Sequence, residues 1–232
     1  TKAEIVEQVN PGITVDLKKS SGDTQRITVD KVLVAVGRTP NTEELGIENI
    51  GIQTENGFIP VGDYYQTKVP SIFAIGDVIN SPLLAHVASK EGEICVEFIA
   101  GKEPEKRIDP CIIPAAVYCE PEIASFGFTE DAAKSKGIDY KTSNFPFRAN
   151  GRAVASEESE GFIKVLYSPE SREILGAHII GPCATEMIHE ILLAKKCELL
   201  PEDIAALIHA HPTLSESVME SMRMAEGWAI HI

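Results

Sequence analysis

Residues 161–181, GFIKVLYSPESREILGAHIIG, constrain the fold more than any other stretch of the sequence. Two apolar runs of strand length lie on either side of Ser168 and Pro169, which predicts two strands joined by a turn. The stretches TEMIHEILLAKKCEL and PEDIAALIHA that follow have helical apolar spacing. Pro201 opens the second helix, because proline is favoured in the first turn of a helix. Strands and helices in separate blocks predict an α+β fold for this part of the chain.

The first half of the sequence predicts a different organisation. GITVDLKK, the polar turn SSGD and QRITVDKVLVAVG predict a hairpin that leads into a buried strand. Pro40 and Asn41 end this pattern, which places a domain boundary near residue 39. Residues 51–101 predict short strands separated by Gly and Pro, followed by a long helix. The apolar face of that helix recurs every three or four residues: Leu84, Val87, Ala88, Ile94, Cys95 and Phe98.

Composition argues against two classes of partner. The chain has 232 residues, enough for one large domain or two modest ones, and carries a formal charge of -14. This charge would repel a phosphate backbone, so nucleic acid is a poor candidate partner. No apolar run reaches the ~20 residues that span a bilayer, and the start, TKAEIVEQVN, lacks the apolar core of a signal peptide. The sequence therefore predicts neither membrane insertion nor secretion.

The five cysteines are odd in number and contain no CxxC or CxxxxC pair. This usage fits a reduced, cytoplasmic setting. Free cysteine is among the most buried residue types, so each is predicted to be a small buried side chain rather than a metal ligand or nucleophile. No metal site is predicted. The cysteines are Cys95, Cys111, Cys119, Cys183 and Cys197.

The stretch SIFAIGDV carries the first candidate site. A buried strand ending at Gly76 would let the backbone approach a ligand, and the Asp77 carboxylate accepts hydrogen bonds from sugar-like hydroxyls. The helix that begins near Leu84 would direct its positive end at the same place, where it stabilises a ligand that becomes anionic. The alternative is that Gly76 and Asp77 form only a turn and a helix cap.

The octet HAHPTLSE, residues 209–216, carries the second candidate site. His211 lies before Pro212 on the non-helical approach to a helix, where its ring could meet the Glu216 carboxylate. Such a pairing would fix the tautomer and leave the other ring nitrogen as an acid/base group. The alternative is a capping box, in which Glu216 reaches back to the Thr213 backbone and begins the helix SESVMESMRMAEGW.

Five motifs in order give the chain a resemblance to a known family. VLVAVGRTPN, SIFAIGDV with LLAHVASKEG, AVYCEPEIASFGFTE, FPFRANGRA and HAHPTLSE resemble those of flavin-dependent pyridine nucleotide-disulfide oxidoreductases. The residues of these motifs are most similar to those in the C-terminal half of the dihydrolipoamide dehydrogenases. Glutathione reductases share part of the last motif and are the alternative within the family.

The resemblance implies roles for particular residues. His211 would exchange a proton with the dithiol substrate, and Glu216 would orient and polarise it. Asp77 would bind the ribityl chain of FAD, and Val36 and Gly37 would lie beside NAD. Four residues at the helix start would line the flavin: Leu83, Leu84, Ala85 and His86. His209 is expected to be structural, and Cys119 is given no redox role.

The resemblance also implies an incomplete site. The family's CxxxxC disulfide and both GxGxxG loops are absent, so the sequence predicts a fragment without activity of its own. Its fold would be a C-terminal interface domain with an antiparallel sheet and helices, preceded by incomplete α/β NAD- and FAD-binding domains. The predicted parts are an NAD-domain remnant at 1–39, part of the FAD domain at 40–108 and the interface domain at 109–232. A sequence that begins with Thr1 instead of methionine fits the expectation that the chain is part of a longer protein.

The partners implied are a second copy of the chain and the lipoyl domains of 2-oxoacid dehydrogenase complexes or of the glycine cleavage system. The compartment implied is the cytoplasm, or the mitochondrial matrix of a eukaryote. Apolar residues of the last helix are predicted to anchor the dimer: Val218, Met219, Met222, Met224 and Trp228. Packing of these residues on their own domain is the alternative, and a non-catalytic dimerisation module is the rival function.

Overall fold

The computed structural model of the chain describes residues 2–9 and 12–231. They divide into two compact units, Thr1–Glu44 and Leu45–Ile232. The three-part division at residues 39 and 108 remains a prediction.

The first unit is built on three antiparallel strands in the order β1-β2-β3: β1 Lys2–Val9, β2 Gly12–Lys18 and β3 Thr24–Val29. The predicted hairpin is confirmed as β2 and β3. Arg26 donates from Nε to Oδ1 of its cross-strand partner Asp16 at 2.7 Å.

The buried strand predicted after this hairpin is wrong. No residue between 31 and 40 forms a strand, and Leu33 and Val36 are 91% and 93% exposed. A strand requires a neighbour that shares its backbone hydrogen bonds, and no described strand pairs with this apolar run.

The second unit begins with loops packed around one long helix, α1 Ala85–Ile99. Val87, Ile94 and Cys95 are buried on α1, which confirms the predicted apolar face. The predicted short strands are wrong: only the isolated bridges Glu55↔Phe58 and Gln66↔Phe73 form among residues 51–84. The segments between successive Gly and Pro residues are too short to form a continuous ladder of strand hydrogen bonds. They pack instead against α1 and form a small core with it: Ile52, Ile59, Tyr65, Ala74, Ile79 and Ile94.

The rest of the second unit is a five-stranded antiparallel sheet in the order β4-β5-β8-β7-β6. Its strands are β4 Ala115–Val117, β5 Ile123–Gly127, β6 Lys141–Pro146, β7 Phe162–Tyr167 and β8 Ile174–Ile180. The predicted strand pair around Ser168 and Pro169 is confirmed as β7 and β8. The predicted α+β class, with an antiparallel sheet and helices, is confirmed.

Five helices accompany this sheet: α2 Glu130–Ser135, α3 Gly151–Ala155, α4 Ala184–Lys196, α5 Pro201–Ala205 and α6 Glu216–Glu226. Single 3-10 turns occupy Ile47–Ile50, Asp63–Tyr65, Gly76–Val78, Pro110–Ile112 and Phe147–Ala149. The helix predicted over TEMIHEILLAKKCEL is confirmed as α4. The helix α5 begins at Pro201 as predicted but is only five residues long and ends at Ala205. Its last carbonyl, on Ala205, accepts a hydrogen bond at 3.1 Å from Nε of Arg223 on α6, which takes the place of a further helical turn.

The main core lies between one face of the sheet and the helices α4 and α6. It joins Ile163, Val165, Ala177 and Ile179 of the sheet to Ile188, Ile191, Val218 and Met222 of the helices. Val218 and Met222 are fully buried and Met219 is 8% exposed. The prediction that these three anchor a dimer is therefore wrong, because all three are buried within their own domain, Val218 and Met222 in its main core. Trp228 is 52% exposed, so it keeps surface for a partner.

The prediction that every cysteine is buried is also wrong. Cys95 is buried and Cys111 is partly buried, whereas Cys119, Cys183 and Cys197 are exposed. Cys183 lies at the N-cap of α4 with φ 53, a turn position rather than a core position. Burial raises the pKa of the Cys95 thiol, which makes it a poor nucleophile.

Gly161 provides a test of this packing. A Cβ at this position would lie 1.8 Å from the carbonyl oxygen of Ile180, and φ is +105. We expect Gly161→Ala to lower the free energy of unfolding by about 3 kcal/mol or more, since backbone must move. At Gly137, φ is +66 and a Cβ meets nothing within 4 Å, so Gly137→Ala should cost only about 1 kcal/mol. Equal losses in urea unfolding would contradict the packing at β7.

Candidate functional site

The loop between α5 and α6 carries the octet HAHPTLSE, and its end is fixed by Glu216. Oε2 of Glu216 accepts a hydrogen bond from the Thr213 backbone N–H at 2.8 Å. The Thr213 hydroxyl donates to the Ala210 carbonyl at 2.7 Å and so does not cap α6. The carboxylate half of the predicted capping box is therefore present.

The same carboxylate also contacts His211. The Nδ1 atom of His211 lies 2.9 Å from Oε1 of Glu216. The two interpretations of the octet are thus compatible, because each oxygen of Glu216 serves one of them. The His211 side chain is 77% exposed and that of Glu216 is 19% exposed. Nε2 of His211 makes no hydrogen bond within the described chain, and the exposed ring gives a ligand access to it.

The surroundings of Glu216 keep it ionised. Partial burial favours the neutral acid and raises the pKa, but the Thr213 N–H and the His211 imidazole together outweigh it, so the pKa of Glu216 lies below its ordinary value of 4.5. An ionised carboxylate holds the proton of His211 on Nδ1 and directs Nε2 to a ligand as an acid/base atom. This arrangement is suited to proton transfer with a bound ligand.

Asn150 anchors the loop from the other side, and the sequence analysis did not identify it. Nδ2 of Asn150 donates to the Thr213 carbonyl at 3.0 Å and to Oγ of Ser217 at 2.9 Å, while Oδ1 accepts from Ala153 N–H. Asn150 is 4% exposed. Its position as the N-cap of α3 is a signal that the sequence offered, since asparagine is a favoured N-cap.

His209 makes a different contact. Its Nε2 atom lies 2.8 Å from Oε1 of Glu190 on α4, and its side chain is 6% exposed. The pair ties the start of the loop to the neighbouring helix. This contact gives His209 the structural role expected from the sequence.

The second candidate site lies on the 3-10 turn Gly76–Val78. The N–H of Gly76 donates to Oε2 of Glu91 at 2.7 Å, and Glu91 is 1% exposed. Gly76 has φ +71, and a Cβ there would lie 3.2 Å from that of Ala88. Glycine thus lets the turn pack closely against α1 while the Asp77 side chain stays at the surface.

Asp77 does not cap α1, so the capping interpretation is wrong and the turn interpretation stands. The N-cap of α1 is Leu84, and no side chain caps it in the described chain. Leu83 and Leu84 are partly buried, and Ala85 and His86 are exposed. His86 donates from Nε2 to the Pro114 carbonyl at 2.8 Å. An exposed carboxylate beside an uncapped helix start fits a ligand that has hydroxyls and gains negative charge, as a flavin does.

Val36 and Gly37 lie in the first compact unit. Gly37 has φ 135, a conformation that favours glycine, and both residues are exposed. Their role beside NAD remains a prediction.

Two further findings concern ions and membranes. Within residues 2–9 and 12–231, His, Cys, Asp and Glu form no group of three that could hold a metal ion. No helix in the same residues is long and apolar enough to cross a membrane.

Two protein families each match a different part of the chain. Residues 113–222 match "Pyridine nucleotide-disulphide oxidoreductase, dimerisation domain", and residues 1–92 match "Pyridine nucleotide-disulphide oxidoreductase". The second candidate site falls within the latter match, and all but the end of the five-stranded domain falls within the former.

Several curated relatives are dihydrolipoyl dehydrogenases. That of Geobacillus stearothermophilus is 48% identical over 99% of this chain and 48% of its own length. Dihydrolipoyl dehydrogenase 1, mitochondrial, of Arabidopsis thaliana is 44% identical over 100% of this chain and 46% of its own. The chain thus spans about half the length of the curated relatives it matches.

Solved structures agree in fold. LpdA from Mycobacterium tuberculosis superposes with a TM-score of 0.86 at 27% identity, covering 96% of this chain and 48% of that one. The HOCl-induced flavoprotein disulfide reductase RclA from Escherichia coli, as a Cu(II) complex, gives a TM-score of 0.87 at 24% identity, covering 97% and 50%. The second likeness concerns the fold alone.

The double contact of Glu216 predicts a pH-dependent stability. Because its pKa is lower in the folded than in the unfolded chain, ionised Glu216 stabilises the fold above pH 4.5, and this contribution is lost as pH falls through the folded value. We expect Glu216→Gln to lower the free energy of unfolding at pH 7 by about 1 kcal/mol. The difference from the unmodified chain should shrink as the pH falls below 4.5, as measured by urea unfolding.

The matched control is Glu170→Gln, which changes an exposed carboxylate in the turn between β7 and β8. It should alter stability little at either pH. A Glu216→Gln effect that is independent of pH would show that the charge of Glu216 contributes nothing to the fold.

Proposed function

Because the chain belongs to the pyridine nucleotide-disulphide oxidoreductase family, we propose that it supplies the acid/base half of a dihydrolipoyl dehydrogenase. The observation that carries the proposal is the pair of His211 and Glu216, with Nδ1 2.9 Å from Oε1 and an exposed imidazole. The relatives of that name, at 44–48% identity over nearly the whole chain, support the choice within the family.

The proposed reaction is the oxidation of dihydrolipoamide by NAD. The dithiol loses two electrons and two protons and closes to a disulfide, and NAD takes up two electrons and one proton. The other proton is released. His211 would accept a proton at Nε2 from a substrate thiol, leaving a thiolate that attacks a disulfide readily. Glu216 would stabilise the imidazolium that results, since its ionised carboxylate accepts the Nδ1 proton.

The turn at Asp77 would hold part of the flavin. When bound, FAD would supply the two-electron chemistry that links the reduced dithiol of a redox-active cysteine pair to NAD. Asp77 would accept hydrogen bonds from ribityl hydroxyls, and Leu83, Leu84, Ala85 and His86 would line the ring at the start of α1. Val36 and Gly37 would lie beside the nicotinamide nucleotide.

The proposed partners are a second copy of this chain and a lipoyl domain. The substrate would be carried by a 2-oxoacid dehydrogenase complex or the glycine cleavage system. The compartment would be the cytoplasm, or the mitochondrial matrix of a eukaryote, since a mitochondrial relative is among those matched. Alone, the 232-residue chain would act as a dimerisation module without turnover, because its sequence contains no CxxxxC pair and no GxGxxG loop.

His211→Gln tests the proposed chemistry. In the complete, flavin-loaded enzyme that contains this sequence, we expect kcat for dihydrolipoamide oxidation to fall by ~10²–10⁴-fold, the usual contribution of a general acid/base. The flavin absorbance should be unchanged, because His211 lies on a different element from Asp77. His209→Gln serves as the control and should reduce stability more than turnover. Full turnover in His211→Gln would refute the assignment.

Exposed apolar side chains near the octet support the dimer. Leu207 and Ile208, just before His211, are 54% and 93% exposed, and Trp228 is 52% exposed. In the complete enzyme, an acid/base that serves a disulfide on the other subunit would lie in such a surface, since a two-fold contact lets each subunit complete the other.

We therefore expect light scattering of the chain at micromolar concentration to give twice its 25.2 kDa. Ile208→Asp should shift the mass towards one chain, because it would bury a charge in the contact. Val96→Asp is the control: Val96 is 63% exposed but lies on α1, outside the proposed interface domain. A mass of one chain that does not change on tenfold concentration would rule out the dimer.

A further inference from the structure

A second carboxylate lies one turn after Glu216 on α6. Glu220 is 2% exposed. Its Oε2 atom accepts hydrogen bonds from the backbone N–H groups of Ile230 and His231, at 3.1 and 3.4 Å. Its Oε1 atom accepts one from Nη1 of Arg223 at 2.9 Å. Glu220 therefore fastens the segment Trp228–His231 back onto the helix that it follows.

The contacts of Glu220 are those of a carboxylate that stays charged although it is buried. Burial raises its pKa, but the bond from Ile230 N–H, the Arg223 guanidinium and the bond from His231 N–H outweigh burial and lower it. A buried charge is tolerated when its lone pairs are occupied in this way. A charged group bonded to two backbone amides holds that backbone firmly.

The segment so held brings His231 to the proposed acid/base pair. A small cavity of about 50 Å³ lies between them, enough for one water molecule. The titratable groups that face it are His211, Glu216, Glu220 and His231. The remaining lining is Phe145, Ala149, Asn150 and Gly151. The side chain of His231 is 66% exposed, and its Nδ1 atom lies 3.6 Å from Oε1 of Glu220, so this imidazole contacts both the cavity and solvent.

We propose that Glu220 is a positioning residue that holds His231 beside the His211–Glu216 pair, where the second imidazole passes protons between the cavity and solvent. This inference rests on the proposed function. His211 gains a proton from each thiol it deprotonates and must lose it before the next turnover. A water in the cavity would take that proton from the pair, and His231 would release it to solvent.

The positioning is tested on the chain itself, without flavin or substrate. Amide hydrogen exchange at Ile230 and His231 should become at least tenfold faster in Glu220→Ala. Glu220→Gln should retain most of the protection, because its amide oxygen still accepts both N–H bonds. Glu122→Ala is the matched control: Oε2 of Glu122 accepts from Thr185 N and Oγ1, and Glu122 does not line the cavity. Unchanged exchange in Glu220→Ala, or equal acceleration in Glu122→Ala, would overturn the positioning role.

The proton transfer is tested in the complete, flavin-loaded enzyme that contains this sequence. His231→Ala, at an exposed site that should not affect folding, is expected to lower kcat about tenfold, less than loss of the direct acid/base. KM for dihydrolipoamide should stay constant, and added imidazole should restore kcat. Glu220→Ala should cause a similar loss, and the double variant should be no worse than His231→Ala, because both act through one group.

An unchanged kcat in His231→Ala, a failure of imidazole to restore it, or additive losses in the double variant would each refute the proton transfer. These outcomes are distinguishable from a failure of the proposed function, in which His211→Gln would leave turnover intact. The hydrogen exchange result depends neither on the proton transfer nor on the proposed function, because it is measured without turnover.

Discussion

The hydrogen bonds accepted by Glu216 are the constraint on which the candidate site depends. One oxygen accepts the Thr213 N–H and the other contacts His211, so a single side chain both holds the backbone just before α6 and orients the imidazole. A neutral side chain could cap the helix, but only an ionised one also stabilises a protonated His211. Stability and chemistry are therefore coupled at this position, and a substitution that removes the charge affects both.

Packing on the sheet fixes the position of α6 and of the loop that carries His211. The helix α6 is fixed by Val218 and Met222, which are buried against β7 and the neighbouring strands. Asn150 then ties α3 to the octet, and Arg223 ends α5 by bonding to Ala205. The loop that carries His211 is thus held at both ends by elements of one core, so an exposed imidazole keeps a defined position.

The turn that carries Asp77, the proposed flavin contact, is also held in place by a buried polar side chain. Glu91 is buried and accepts the Gly76 N–H, so the turn is fixed by α1 while Asp77 stays exposed. In both sites, a buried polar group holds the backbone and the adjacent candidate side chain is exposed.

The sequence by itself determined the β7–β8 hairpin, the helix α4, the apolar face of α1 and the pairing of Glu216 with Thr213, because these depend on local periodicity and on short-range hydrogen bonds. It also predicted that His211 could meet Glu216, five residues away. Only the tertiary structure decided what Val218 and Met222 pack against, where α5 ends, and that the apolar run near Val36 forms no strand. Those outcomes depend on partners distant in sequence. The same holds for Glu220 and His231, whose approach requires the chain to turn back on α6.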